Sequence, residues 1–222
     1  MDVRAATTGT GAVRRGRRLP PHEREQMILD EAINFFAEHG FNGQVRQLAE
    51  RLHVSQPLIF RYFGTKDALI ERVYQRTFLA RWDPSWEITL ADQTIPLRTR
   101  LKTFLKSYLS VVDDYRWIRI SMHSSLAQHD LTHRYVQIFV TNILKVIAQQ
   151  VRLYRGEDAG GDVSGEELEL VWHLHSTVVY YLVRKHIHKT PVSSDIESLV
   201  DSAVNNFIDG LGAERPGSQG AA

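Results

Sequence analysis

Residues 45 to 70 read VRQLAERLHVSQPLIFRYFGTKDALI, and few folds accept such a segment. Val45, Leu48, Ala49 and Leu52 recur at helical spacing over about two turns, which predicts a short helix. Ser55 stands where the N-cap of a second helix belongs, and Pro57 falls inside that helix's first turn, where an N–H has no intrahelical partner. Ile59 and Phe63 give this second helix its buried side, Gly64 ends it, and Thr65 caps the next. Only His53 and Val54 are left to connect the two, so the turn is tight. His53 then has to take the left-handed conformation that glycine favours, which His tolerates better than most residues.

Helical periodicity governs most of the remaining chain. Ile28, Leu29, Ala32, Phe35 and Phe36 make one apolar face upstream, stopped by Gly40. Downstream, Ala68, Leu69, Val73 and Phe78 carry a helix towards Trp82, and Pro84 breaks it. Pro96 opens another through Leu101, Phe104, Leu105, Tyr108 and Val112, and a shorter one spans Trp117 to Ala127. A long helix is expected from Leu131 to Arg155, buried through Tyr135, Ile138, Phe139, Val146 and Leu153. After the loop GEDAGGDVSG, one helix runs from Glu166 to about Ile187 and another from Ser193 to Leu211.

No strand-like alternation interrupts this pattern, so the predicted fold is all-α: three short helices followed by about six longer ones. The expected organisation is a flexible basic arm over 1–20, a three-helix DNA-binding unit over 21–66, a larger helical ligand-binding and dimerisation domain over 67–212, and a disordered tail over 213–222.

Helix-turn-helix geometry presents the N-terminal part of its second helix to base edges in the major groove. Gln56, Pro57, Leu58 and Arg61 occupy that side. Gln pairs with adenine and Arg with guanine, while Pro57 and Leu58 offer apolar contact to thymine methyls. Tyr62, Lys66 and the free amides after Thr65 suit phosphates.

Phe36, Gly40-Phe41, Leu48-Ala49, Val54-Ser55, Phe60-x-Tyr62-Phe63 and Lys66-x-x-Leu69 follow one another as they do in the TetR (tetracycline repressor) family, which the segment from about 24 to 72 resembles. The resemblance implies that Arg46, Gln56, Pro57, Leu58, Phe60 and Arg61 face bases or their edges, that Tyr62 and Lys66 hold the backbone, and that Ser55 belongs to the same DNA-facing set. Three positions depart from the family pattern. Asn42-Gly43-Gln44 replaces the usual capping Thr pair and is one residue shorter, His53 replaces the turn glycine, and Phe60 replaces a tyrosine that would donate to phosphate.

Specific operator recognition by so small a reader calls for two copies on a pseudo-palindrome, hence a homodimer. The resemblance places the dimer contact on the last two helices, with Trp172, Val179, Leu199, Ala203 and Phe207 as candidates. The middle helices hold Trp82, Trp86, Phe104, Tyr108, Trp117, Met122, His123, Phe139, Asn142 and His175, an apolar set with a few polar groups, expected to line a site for a partly apolar small-molecule effector. Asn142 and His123 stand out there because a polar group on an apolar face needs a partner. The expected function is a sequence-specific transcriptional regulator, a repressor released by its effector; the alternative is an effector-independent activator or an architectural protein. The helix from Thr65 to about Trp82 is the expected lever.

Composition narrows the rivals. The chain has no cysteine, which removes disulfides, thiolate metal sites and cysteine nucleophiles. No apolar stretch approaches the roughly 20 residues of a membrane span and no secretory signal is evident, so a cytoplasmic protein without a membrane partner is expected. The formal net charge of +1 says little by itself, but Arg4, Arg14, Arg15, Arg17 and Arg18 crowd the first twenty residues against Asp2 alone. That arm is expected either to enter a minor groove or to serve as a solubilising tail. His129 and His133 have a metal-compatible i, i+4 spacing, whereas His173 with His175 and His186 with His188 diverge on a helix. No nucleophile elbow, phosphate loop or carboxylate-supported histidine pair is present, so neither catalysis, a metal nor a cofactor is expected.

Overall fold

A computed structural model describes residues 19–127 and 129–212. Almost all of the expected basic arm, and the tail expected over 213–222, lie outside the described residues. Among the described residues the regular structure is helical throughout. The elements are α1 (Pro21–His39), α2 (Val45–Arg51), α3 (Gln56–Phe63), α4 (Lys66–Thr77), α5 (Ser85–Ala91), α6 (Leu97–Val112), α7 (Tyr115–Leu126), α8 (Leu131–Tyr135), α9 (Thr141–Tyr154), α10 (Gly165–Leu182) and α11 (Ile196–Leu211).

The first helix starts with Pro21 in its first turn and stops at Gly40, which has φ 68° and donates its N–H to the Phe36 carbonyl at 2.9 Å. Its apolar stripe is Ile28, Leu29, Ala32, Ile33, Phe35 and Phe36, all buried. Leu48 and Ala49 of α2, Ile59 and Phe63 of α3, and Leu69 and Val73 of α4 belong to the same core. Each large side chain buried here stabilises the unit by about 1.5–3 kcal/mol. At 19 residues α1 is longer than the short helix expected.

The larger part of the chain stacks α6 against α11 and α10 against α9. Three ion pairs climb the first contact: Arg98–Asp209 at 2.6 Å, Lys102–Asp201 at 3.2 Å and Lys106–Glu197 at 3.0 Å. The four-residue spacing on α6 puts all three cations on one face, where exposed pairs contribute about 0–1 kcal/mol each.

Several boundaries differ from the sequence expectation. The helix through Leu69 ends at Thr77 and continues only as a 3₁₀ turn, Leu79–Arg81; beyond Pro84 the chain forms α5, whose buried residues are Trp86 and Leu90. The long helix expected from Leu131 is interrupted by π-helical turns over Val136–Val140, which rotate the apolar stripe and leave Ile138 54% exposed. Leu153 is likewise at the surface. A second π segment, Val183–His188, follows α10 and closes with Lys189 at φ 54°. The last helix starts at Ile196, where the Asp195 carboxylate accepts from the Ser198 N–H at 2.9 Å, rather than at Ser193.

Candidate nucleic-acid interface and cavity

The turn between α2 and α3 closes through two backbone bonds: Val54 N–H donates to Ala49 C=O at 3.0 Å and His53 N–H to Glu50 C=O at 3.1 Å. This pair of bonds needs a left-handed residue after the C-cap. His53 supplies it with φ 53°, as its place in the sequence requires. A nearby departure from the family pattern also has a visible reason: a Cβ on Gly43 would stand 2.6 Å from Cε1 and 2.8 Å from Cζ of Phe35. Glycine therefore lets the α1–α2 connection lie flat on a fully buried ring. Gln44 opens α2, its N–H donating to the Gln47 side chain at 3.2 Å.

One residue clamps α2 onto α1. Arg51 reaches Glu31 at 2.8 Å and Glu38 at 2.7 Å and lies 5.9 Å over the Phe35 ring. Its hydrogen bond holds the Glu38 carboxyl below the usual carboxylate range against a smaller opposing effect of burial.

Within α3, Ile59 and Phe63 point into the core, one turn apart. Pro57 and Arg61 are exposed on the other side, with Gln56, Leu58, Phe60 and Tyr62 half-buried between. Ser55 holds the N-cap position but its hydroxyl makes no capping hydrogen bond, contrary to expectation; Pro57, inside the first turn, has no N–H to offer. Gly64 ends α3 at φ 75°, and the Thr65 hydroxyl accepts from Ala68 N–H at 3.1 Å, placing Lys66 at the head of α4. Arg46 is exposed on α2 and forms an i, i+4 pair with Glu50 at 3.0 Å. Beside this face a concavity of about 650 Å³ is lined by Leu19, Arg24, Leu58, Arg61 and Tyr62, so the head of α1 adjoins the exposed side of α3.

The small unit is fastened to the rest by α7 and α4. Arg119 of α7 donates from Nε to the Ala37 carbonyl at 2.5 Å and from Nη2 to that of Glu38 at 3.3 Å, satisfying the C-terminal end of α1. His123, one turn on, packs on Gly40, whose Cβ would stand 3.0 Å from the imidazole Nδ1. Burial, then the charge of Arg119, lowers the His123 imidazole from its ordinary pKa. Arg134 bonds to Glu71 of α4 at 2.8 Å and lies 4.6 Å over the Tyr74 ring.

A cavity of about 280 Å³ opens between α6, α7, α8 and α10. Of the expected effector residues, Tyr108, Trp117, Met122 and His175 line it. Trp82, Trp86, Phe104 and Phe139 do not; they form an adjoining aromatic cluster, with Trp82–Trp86 centroids 4.9 Å apart and Trp82–Phe139 5.1 Å. His123 sits at the α1 junction, and Asn142 is exposed, its amide donating to the Ile138 carbonyl at the π segment. The sequence reading missed Ser121, Ser125, Thr132, Tyr135 and Ser176, which also line the cavity. The placing of Trp117, Ser121 and Ser125 at steps of four on one helix face was the available signal.

The dimer candidates divide between two surfaces. Leu199, Ala203 and Phe207 line a groove of about 440 Å³ between α10 and α11, together with Leu170, His173 and Thr177. Trp172 and Val179 face the cavity instead. His129 packs edge-on against Phe41 at 4.9 Å, and among the described residues no group of three or more His, Asp or Glu side chains gathers at metal-binding separation. No helix among them is long and apolar enough to cross a membrane.

Comparison with known proteins matches residues 28–73 to the bacterial regulatory proteins of the tetR family. The chain is 36% identical over 67 residues to the HTH-type transcriptional activator FasR of Mycolicibacterium smegmatis, covering 30% of this chain and 31% of that one. It is 26% identical over 135 residues to the HTH-type transcriptional regulator LuxR of Vibrio harveyi, covering 57% and 65%. The matches thus span under a third of the first curated relative and just under two thirds of the second. Among solved structures, a TetR-like transcriptional regulator from a Rhodococcus species superposes with TM-score 0.66 at 20% identity over 87% of this chain and all of that one. The TetR-family regulator PfmR of Thermus thermophilus gives 0.59 at 17% identity, over 85% and 99%.

Proposed function

We propose that this chain, whose residues 28–73 match the bacterial regulatory proteins of the tetR family, is a regulator of that kind that binds a pseudo-palindromic operator as a homodimer and leaves it when a small molecule fills the cavity beside α7. The observation that carries the reading is α3 itself. Ile59 and Phe63 pin the helix to the core, so Pro57 and Arg61 stand free on the opposite side, with Gln56 at its head. That is the presentation a major-groove reader needs. Gln56 and Arg61 serve base edges, with Pro57, Leu58 and Phe60 as apolar contacts; Ser55, Tyr62 and Lys66 serve the backbone. Arg46 belongs to the same face only if it exchanges Glu50 for DNA.

The exposed apolar surface of the α10–α11 groove supports pairing with a second copy there, which would fix the separation of the two α3 helices. Release follows from the double role of α7. Trp117, Ser121, Met122 and Ser125 wall the cavity, while Arg119 and His123 on the same helix hold the end of α1. A ligand that shifts α7 therefore moves α1, and with it α3. The sequence reading made α4 the lever; the Arg119 contacts favour α7 acting with it, since Phe78, just beyond α4, touches Trp117 and Tyr135 of the cavity wall at centroid distances of 5.4 and 5.2 Å. Reciprocity requires operator DNA to weaken ligand binding by the same factor.

The sign of regulation follows from where the operator lies. FasR is named an activator, and its likeness to this chain covers only 67 residues. Sedimentation of the purified protein with and without a promoter fragment, followed by titration of candidate ligands against the complex, tests the whole reading. A dimer on specific DNA, dissociated by a saturable ligand, supports it; specific DNA binding unaffected by any ligand that fills the cavity overturns the release step.

A further inference from the structure

The chemistry of the cavity wall narrows what it accepts. No Lys, Arg, Asp or Glu is among the lining residues. Trp117, Tyr135 and Trp172 supply much of the wall, and the volume, about 280 Å³, lies just under the roughly 300–1,000 Å³ common for small-molecule sites. The polar groups are hydroxyls, one imidazole and the indole N–H of Trp117 and of Trp172. Ser125 and Thr132 both donate to the Ser121 carbonyl, at 3.1 and 2.9 Å, and Ser176 donates to that of His173 at 2.9 Å. Their protons are used within the protein, which leaves oxygen lone pairs for a visitor. His175 shares a 3.2 Å hydrogen bond with the Tyr108 hydroxyl through Nε2, and its buried Nδ1 has no partner.

Resting on the effector reading above, we propose that the ligand is a compact, uncharged, mainly apolar molecule carrying at least one hydrogen-bond donor, such as a hydroxyl, held by the oxygens of Ser125, Thr132 or Ser176 beside His175. A carboxylate or ammonium here would lose its hydration with no opposite charge to meet it, which is the costliest kind of burial. A phosphorylated or nucleotide-bearing ligand is excluded on the same ground and by size. Burial pushes the His175 imidazole down to about 4, so it adds no charge near neutrality.

The test uses three compounds with one ring system: tryptophol, indoleacetate and tryptamine, which carry a hydroxyl, a carboxylate and an ammonium. Calorimetric titration of the full chain at neutral pH should give saturable binding of tryptophol, and tryptophol should raise Tm by mass action. The two ions should bind at least tenfold more weakly, about the effect of 1.4 kcal/mol. Ser176→Val, at the rim of the cavity, should weaken tryptophol about three- to tenfold while the circular dichroism and DNA affinity of the free protein stay unchanged. His175→Phe should weaken it as well; if that variant fails to fold, Ser176→Val alone decides. Equal or tighter binding of either ion, or no binding of all three at millimolar concentration, overturns the proposal. Failure of the underlying reading has a different signature: tryptophol would bind but leave the protein's DNA affinity undiminished.

Discussion

Arg119 ties α7, which walls the cavity, to the end of α1, and replacing it with Met removes the guanidinium while keeping most of the aliphatic stem. The loss is a short hydrogen bond to the Ala37 carbonyl at 2.5 Å and a longer one to Glu38 at 3.3 Å. A hydrogen bond from a charged donor contributes about 1.5–3 kcal/mol. The long second bond contributes less, and a cation at the C-terminal end of α1 adds about 0.3–1 kcal/mol, reduced by solvent screening. The sum is about 2 kcal/mol. For a chain of this size each kcal/mol moves Tm by about 2–4 °C, so Arg119→Met should melt about 4–8 °C lower in a calorimetric scan. Arg119→Lys should recover part of this through one retained donor. The recognition face is untouched, so DNA affinity without ligand should hold within about threefold, while the ligand's power to weaken DNA binding should fall. A Tm within about 1 °C of the parent, with ligand response intact, would refute the claim that this contact transmits the signal.

Lys66→Ala should weaken binding to all sequences alike and lower the salt slope by about one, measured as log affinity against log salt; a sequence-selective effect would place Lys66 on a base. His53→Gly should be close to neutral in chemical denaturation, since relief of the left-handed conformation offsets the freedom gained in the unfolded chain, whereas His53→Val should destabilise by about 1–2 kcal/mol. Asp114 governs an acid-sensitive joint: burial alone would raise its carboxyl, but hydrogen bonds from Arg116 and Arg81 outweigh this and hold it well below the ordinary carboxylate range. A lowered folded-state pKa gives stability that is fully present above about pH 4 and is lost as pH falls further. Asp114→Asn should therefore lower Tm at pH 7 and flatten its decline between about pH 4 and pH 2.

How much of this was legible in the sequence depended on how local the determinant is. Ile59, Phe63, Gly64, Thr65 and the left-handed His53 lie within a few residues of what they control, and the sequence reading placed each correctly. Ser55 kept its position but not its capping bond. The cavity was harder, because aromatic content does not say which rings face an opening. Trp82, Trp86, Phe104 and Phe139 pack edge-on or tilted against one another, whereas the smaller Ser121, Thr132 and Ser176 reach the space. Asn142 was assigned to an apolar face by uninterrupted helical counting, and the π turns over Val136–Val140 leave it exposed. Those turns have the composition of ordinary helix, so periodicity had no means of finding them. Gly43 and Arg119 act across long sequence separations, on Phe35 and on the carbonyls of Ala37 and Glu38, which only the folded chain reveals.

If α3 reads bases, selection of preferred sites from random duplexes by the parent protein and by Gln56→Ala and Arg61→Ala will show it. The parent should select a two-fold symmetric motif, and each variant should lose preference at one position per half-site at a penalty of about 1–3 kcal/mol while remaining folded. A motif unchanged in both variants, or no enrichment by the parent, would contradict it.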